Sequence, residues 1–427
     1  MFKSCLKSAL ATLGALFLIT LSACSSEEPA VSSTPPTSVK SDIRSVEDAC
    51  NIALAFLEAG NDISASRSEG VIANVKIGYG ATSRSGAADT LFYSVNLAND
   101  GGFVLVSAPT AAEPVLAYVE NGSYDPAQTT DNPGFNMFIE KSKEYTSLAA
   151  AIGPGEGVPV KLPYYKIIKN VAPQLKVEWG QQYPEGIFCS NGYSGCVQTA
   201  MVQILSYLEQ PTSIQLTYPE CDRTFINLNW EEIKKHKVSY SDPSLYNTHL
   251  LTCDASEENH RALSYLCREL GYRNRANYWP DSAGTGTSIE PAHSLFKTLL
   301  PTKNISENSE FDSNNFDILM SKMTSNHAVA FFSGLNEVNV RDGHAWVCEG
   351  GRHYEYHTEI YFANGEEDVR DVYYFYFNWG NNGKKNGYCL GNVYDPNKTL
   401  KESELPRPTL PLSRANYSDF VHYFTIY

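Results

Sequence analysis

Cys196 stands where a loop gives way to a helix. Asn191-Gly192-Tyr193-Ser194-Gly195 is turn-forming. Beyond it Val197, Ala200, Met201, Ile204, Leu205 and Leu208 recur at the spacing of one buried helix face, and Pro211 ends the run. A thiol in a first helical turn is stabilised as thiolate by unpaired amides and the helix dipole, which suits it to attack a carbonyl carbon. Gly195 before it leaves room for another backbone to approach. The plainer reading is a small buried core cysteine. A thiol nucleophile needs a base, and the base needs a partner that holds its tautomer. Of nine histidines, His236 and His260 lie in charged helical surroundings, His293 is mid-helix, His353 and His357 fall in a polar hairpin, and His422 is on a terminal strand. His327 and His344 each precede alanine and an apolar strand. His344 follows the turn Arg341-Asp342-Gly343, so it opens a strand, where a side chain can face a cleft. In Tyr376-Phe377-Asn378-Trp379-Gly380, Asn378 can accept the imidazole N–H and Trp379 can shield that bond. Gln181 can offer its amide to an oxyanion beside the Cys196 N–H. Each residue alone has an ordinary reading; the ordered set Gln181, Cys196, His344, Asn378 points to acyl chemistry. No metal-ligand spacing is visible and no cofactor is expected.

These residues need elements to position them. Helical patterns cover Val197–Leu208, a short stretch from Trp230, Glu257–Leu270 and Ile289–Leu300. From Ala328 onward the chain turns to strands: Val329–Phe332, His344–Cys348, Tyr356–Phe362, Val372–Trp379, Tyr388–Leu390 and Phe420–Tyr427. Helices before strands predict an α+β fold with two lobes and a cleft between them. Ahead of this region residues 44–150 read as a separate unit: an amphipathic helix on Val46, Ala49, Ile52, Ala53 and Leu57, three strands, and a closing helix from Asn132. That unit has no catalytic set. Residues 151–175, rich in Pro and Gly early on and bearing lysines, read as a linker open to proteolysis.

Lys3 and Lys7 precede an apolar run from Ala9 to Ala23, too short for a comfortable membrane span, which reads as a signal peptide over residues 1–23. It ends Leu21-Ser22-Ala23-Cys24, which resembles a lipobox, so Cys24 is the expected lipidation site and mature N-terminus of an exported bacterial envelope lipoprotein, outer-membrane or cell-surface. Residues 24–43 are a Ser/Pro/Thr-rich tether. A net charge of −15 with no basic run argues against a nucleic-acid partner. Without Cys5 and Cys24, eight of the ten cysteines remain, and the six accompanying Cys196 beyond the linker could form three bridges or none.

The runs W-G-Q, S-G-C-V-Q-T-A-M-V-Q-I-L-S-Y-L-x-x-P, L-N-W-E, the Ser282-Ala283-Gly284 loop, D-G-H-A-W-V and F-N-W-G resemble the streptopain family of bacterial cysteine peptidases. The separation of Cys196 and His344, about 150 residues, also fits the ~130–150 of papain-like thiol peptidases. In the first unit, G-G-F-V-L-V-S-A and P-V-L-A-Y-V-E-N-G-S-Y-D are similar to the family's propeptide. The resemblance spans roughly residues 44–427. It implies a papain-like, two-lobed catalytic domain at 176–427, an inhibitory propeptide at 44–150, and an activation cut within 151–175. It further implies Cys196 as nucleophile, His344 as base, Gln181 as oxyanion donor, and Asn378 with Trp379 orienting His344. Substrate contacts fall at Ser282, Ala283, Gly284 and Gly343, and His327 is structural. The expected partners are protein or peptide substrates, the chain's own propeptide, and a membrane through the lipid.

The chain departs from the family pattern in three places. Asn381-Asn382-Gly383 stands where a second Trp is usual, Glu349–Tyr373 is long and reads as an extra hairpin over the cleft, and Cys189 is an additional thiol. Two rival readings are a non-catalytic surface lipoprotein with a peptidase-like binding fold, against which the complete set speaks, and an acyl transferase, which calls for Asp in place of Asn378.

Overall fold

Ser45 opens the first helix with a reciprocal cap. Its hydroxyl accepts the Asp48 N–H, and the Asp48 carboxylate accepts the Ser45 N–H at 2.9 Å. The helix α1 (Val46–Ala59) then buries Ala49, Ile52, Ala53, Phe56 and Leu57. In this computed structural model the described residues are 42–62, 71–82, 88–152, 158–159, 164–242, 244–245, 247, 257–279, 285–334, 343–361, 367–395 and 421–427. The signal segment, Cys24, and all the tether but residues 42–43 lie outside them. Among the described residues no helix is long and apolar enough to cross a membrane.

Strands β1 (Ile72–Thr82), β2 (Ala88–Leu97), β3 (Phe103–Ser107) and β4 (Val115–Val119) follow as an antiparallel meander. Helix α2 (Pro133–Ile152) is capped by Asn132, whose Oδ1 accepts the Phe135 N–H at 2.9 Å. Next come β5 (Val158–Pro159) and β6 (Tyr164–Val171), then α3 (Cys196–Leu208). Glu209 in the left-handed region ends α3 just before Pro211. The helical lobe continues with β7 (Ser213–Gln215), β8 (Phe225–Asn227), α4 (Trp230–Ile233), α5 (Glu257–Arg273), β9 (Asn277–Tyr278), β10 (Thr285–Gly286) and α6 (Ile289–Leu299). The last third contains β11 (Ser309–Glu310), α7 (Phe316–Asn326), β12 (Val329–Gly334), β13 (His344–Tyr361), β14 (Glu367–Asn378), β15 (Gly387–Leu390) and β16 (Val421–Ile426).

Among the described residues twelve strands form one sheet, with the path β1-β2-β3-β4-β15-β14-β13-β12-β16-β11 and with β5 and β6 also on β13. The junction is β4 on β15, with Tyr118 opposite Tyr388 and Ala117 opposite Cys389. The two units separated in the sequence reading therefore share a sheet. They also share a core: Phe56, Phe103, Phe135 and Phe138 pack in one cluster with Trp346, Tyr374, Phe377 and Trp379. A second cluster lies on the other face, where α3 packs with α5, α6 and the outward alternation of β12 and β13. Along β13, Trp346 and Cys348 face the first cluster while Ala345 and Val347 face the second, as the two-residue period of a strand requires.

The structure adds to the linker and hairpin reading in two places. Residues 164–171 are a sheet strand, with Val171 opposite Gly351 and Tyr164 opposite His357. The long β13–β14 hairpin packs on the first unit, a contact the hairpin reading did not include. Phe56 sits against Tyr354 and Tyr374 with ring centroids at 5.3 and 4.9 Å. Tyr374 OH donates to Val115 O at 2.9 Å, Arg370 meets Glu113 at 2.9 Å, and Arg352 holds Asp62 bidentately at 2.6 and 2.9 Å. Helix α7 had no counterpart in the sequence reading. His327 is its left-handed C-cap and is exposed.

The Arg352 and Asp62 side chains keep 5% and 12% of their exposure. Removing the carboxylate leaves a guanidinium buried without its partner. Asp62→Ala should therefore lower unfolding stability by about 3–5 kcal/mol, read from urea denaturation of the uncut chain.

Candidate active site

The loop before α3 is laced to the neighbouring chain. The Thr199 hydroxyl lies 3.0 Å from both the Gly180 and the Gly195 carbonyl oxygens and 3.1 Å from Ser194 Oγ. The Ser194 N–H donates to Gln181 O at 2.8 Å. Gly180 in turn donates its N–H to Ser239 Oγ at 2.7 Å, and buried Trp179 donates its indole N–H to His236 O at 2.7 Å. Gln181 is thereby fixed beside the start of α3. From the other side, Thr285 Oγ1 donates to Tyr193 O at 3.0 Å, and Asn191 Nδ2 donates to Thr285 Oγ1 at 3.2 Å. Gly195 has φ +97°, and a Cβ there would sit 2.7 Å from Gln198 Oε1 and 2.9 Å from Thr285 Cβ. Backbone conformation and crowding explain this glycine without any appeal to substrate.

Cys196 keeps partial exposure, yet its surroundings are dense enough for burial to push the thiol pKa up. The backbone N–H groups of Ala345, Val197 and Cys196 itself act against that rise. Cys189 is a different environment: it is buried, its thiol is pushed up to about 11 by burial, and its Sγ lies 3.9 Å from Tyr278 OH. Cys50, Cys189, Cys196, Cys221, Cys267, Cys348 and Cys389 are all free, so no disulfide joins the described residues.

His344 is the first residue of β13, 4% exposed, with its ring stacked on Trp346 at 6.2 Å. Its Nε2 lies 2.8 Å from the Trp379 carbonyl oxygen. A carbonyl only accepts, so this bond puts the proton on Nε2 and leaves Nδ1 as the basic nitrogen. Burial lowers the pKa to about 4, against the favourable bond to Trp379. Gly134, in the first turn of α2, closes the cage. A Cβ on it would lie 2.6 Å from both His344 Cδ2 and Trp379 Cε3. Among the described residues no hydrogen bond joins His344 to Cys196. The thiol rests by the N–H of the very next residue, Ala345, on the α3 side of the strand.

Asn378 is fully buried, but its side chain is engaged elsewhere. Nδ2 donates to Val177 O at 3.2 Å, and Oδ1 accepts the Gly380 N–H at 3.2 Å. Asn378 pairs with Val347 and so faces α3, whereas Trp379 joins Trp346 on the opposite face, with ring centroids 5.4 Å apart. The imidazole's acceptor is consequently the main-chain oxygen of Trp379. Trp379 is held by its own indole N–H to Lys385 O at 2.8 Å and by its N–H to Asn386 Oδ1 at 3.1 Å. Gly343 is half-buried next to His344, and Ser282, Ala283 and Gly284 lie outside the described residues. The sequence reading missed Thr199, Thr285 and Gly134. Only Thr199 left a signal, as a polar residue on a helix that is buried all round.

Residues 175–389 match the Peptidase C10 family, and residues 38–146 match the Spi protease inhibitor family. Streptopain from Streptococcus pyogenes is 22% identical over 83% of this chain and 86% of its own length. The thiol protease/hemagglutinin PrtT of Porphyromonas gingivalis is 24% identical over 72% of this chain, which spans about a third (34%) of that protein. A fragment of Prevotella intermedia prointerpain A has a similar fold, with a TM-score of 0.51 at 19% identity, covering 83% of this chain and 98% of the fragment.

With the thiol raised and the imidazole lowered, both groups are neutral near pH 7 in the intact chain. The thiolate is the reactive form. Alkylation of Cys196 by iodoacetamide in the intact chain should therefore be slow at pH 7 and accelerate only toward alkaline pH. Once the first unit is removed, His344 is rehydrated and the fast phase should extend to pH 6–7, as quench-and-digest mass spectrometry would show.

Proposed function

The chain belongs to the Peptidase C10 family, a cysteine protease made with its own inhibitor propeptide, and on that premise we propose that it is an endopeptidase zymogen in which Cys196 attacks the scissile carbonyl. His344 Nδ1 takes the thiol proton and later returns it to the leaving amine, while Nε2–H stays on Trp379 O. The Cys196 N–H and the Gln181 side-chain amide hold the oxyanion, and water clears the acyl-enzyme. Asn378 serves this chemistry by anchoring the turn that carries the Trp379 carbonyl. Ser282, Ala283, Gly284 and Gly343 are assigned to substrate contact.

The observation that carries this reading is Gly134 packed against His344. Residues 44–150 cover the imidazole and strip it of water, so the imidazolium that proton transfer requires is disfavoured. Latency is electrostatic as well as steric. The activation cut belongs in the 151–175 stretch, and more narrowly before Tyr164, because β6 is paired along β13 and a protease needs unpaired chain. Cys24 is assigned as a lipid anchor that displays the enzyme on the bacterial envelope, with protein or peptide substrates and no cofactor.

Cys196→Ala should abolish peptide hydrolysis without altering the fold, and a thiol-directed peptidase probe should label Cys196 alone. Near-normal turnover of that variant, or labelling at Cys189, would refute the assignment. Gly134→Ala should weaken the cover, so full-length chain with an uncleavable linker gains activity over its unsubstituted counterpart. Equal activity of the two would remove the latency argument. Acyl mass on Cys24 and partition into detergent test the anchor; a fully soluble, unacylated chain contradicts it.

A further inference from the structure

The turn between β14 and β15, Trp379 to Asn386, holds the Asn381-Asn382-Gly383 departure from the family pattern, and the reaction does not use its lysines. It is built into the peptidase segment. The Trp379 indole N–H donates to Lys385 O at 2.8 Å, the Trp379 N–H to Asn386 Oδ1 at 3.1 Å, and the Lys384 N–H to Asn381 O at 3.1 Å. Asn382 Oδ1 accepts the Ser239 N–H at 2.7 Å, and a Cβ on Gly180 would lie 3.0 Å from that oxygen. The turn therefore touches both His344, through Trp379 O, and the chain next to Gln181.

The first unit seats one short stretch on this turn. Lys384 Nζ donates to Asp131 Oδ2 at 2.6 Å, and Asn381 Nδ2 lies 3.5 Å from Asp131 O. The buried Asn132 donates from its Nδ2 to Lys384 O at 2.7 Å. Two residues on, Gly134 packs against His344 and Trp379. Lys384 holds the Asp131 carboxyl below the usual carboxylate range. Lys385 is held by the first unit as well: its Nζ donates to Ser123 O at 2.6 Å and lies 5.1 Å from the centre of the Phe103 ring.

Removing residues 44–150 takes these partners away and leaves the turn's own bonds in place. The turn then presents an ammonium at Lys384, an amide donor at Asn381 and a carbonyl acceptor at Lys384. That set can hold the main chain and the carboxylate of an acidic residue, as it holds Asp131. Its position decides which part of a substrate meets it. His344 returns its proton to the leaving amine, so the residues that follow the scissile bond pass on the His344 side, where the turn stands.

We propose that Lys384, with Asn381, forms a subsite that selects an acidic residue on the leaving-group side of the scissile bond, with Asp131 as its stand-in in the uncut chain. The proposal rests on the peptidase reading, with Cys196 as nucleophile and His344 as base. The Lys384 and Asp131 side chains keep 56% and 66% of their exposure. The preference is accordingly modest, because an exposed ion pair is worth no more than about fivefold.

The test uses full-length wild type, Lys384→Gln and Lys384→Glu, each processed by an added protease that is then removed. A site that processed wild type cuts in denatured protein supplies pairs of peptides carrying Asp or Asn at the first, second or third residue after the cut. The readout is the Asp/Asn ratio of kcat/KM within each pair. In wild type that ratio should reach about two to five at one of these positions. It should fall toward one in molar salt, where the Debye length is about 3 Å. Lys384→Gln should bring it near one, and Lys384→Glu below one. A wild-type ratio of one at every position, or a preference that survives in Lys384→Gln, would overturn the proposal. Processed wild type that cuts no protein removes the peptidase reading and the subsite together, whereas equal cutting within every pair removes the subsite alone.

Discussion

Consecutive residues at the start of β13 face opposite sides of the sheet, and the rest of the site depends on that alternation. His344 turns toward the aromatic cluster with Trp346, while Ala345 turns toward α3 and lays its N–H by the Cys196 thiol. The same parity governs β14, where Asn378 faces α3 and Trp379 faces the aromatic cluster. The Asn378 side chain is bonded to Val177 O and the Gly380 N–H and does not take the imidazole proton, but the main-chain carbonyl at the strand end does. The hydrogen bond from His344 Nε2 to Trp379 O at 2.8 Å is the result. It sets the tautomer without placing a second side chain in the aromatic cage.

The first unit is built into the same sheet rather than set beside it. Its β4 lies along β15, and its Phe56 enters a ring of Tyr118, Tyr165, Tyr354 and Tyr374. Paired backbone, shared apolar core and the buried Asp62–Arg352 pair make this contact resemble the interior of one domain. That accounts for how Gly134 can be held hard against His344. A loosely tethered domain would let water reach the ring and restore its basicity. A cover that is part of the sheet keeps the ring dry, neutral and turned to Trp379.

On the other face the helix that Cys196 opens is buried all round, and its Thr199 is structural. Thr199 joins the Gly180 and Gly195 carbonyls, so the Gln181 loop and the Cys196 turn move as one piece. Asn378 and Glu349 each bond the chain entering the helical lobe, at Val177 O and at the Leu175 N–H. The placement of Cys196 and Gln181 therefore rests on hydrogen bonds buried one layer behind them.

The candidate residues for acyl chemistry, and their order, could be picked out of the chain because each leaves a local mark. Cys196 sits between a turn-rich loop and a 3.6-residue apolar repeat, His344 follows a turn and opens an apolar strand, and Asn378-Trp379-Gly380 closes one. The α+β order of elements was legible for the same reason, since periodicity is a property of neighbouring residues. Only the tertiary structure decided that β6 is a strand, that the long hairpin packs on the first unit, and that Trp379 O rather than the Asn378 amide receives the imidazole. Those outcomes depend on strand register and on contacts between residues hundreds of positions apart, such as Gly134 with His344 and Asp62 with Arg352. No local pattern encodes them, because a glycine in a helix or an arginine in a strand looks the same whatever it is folded against.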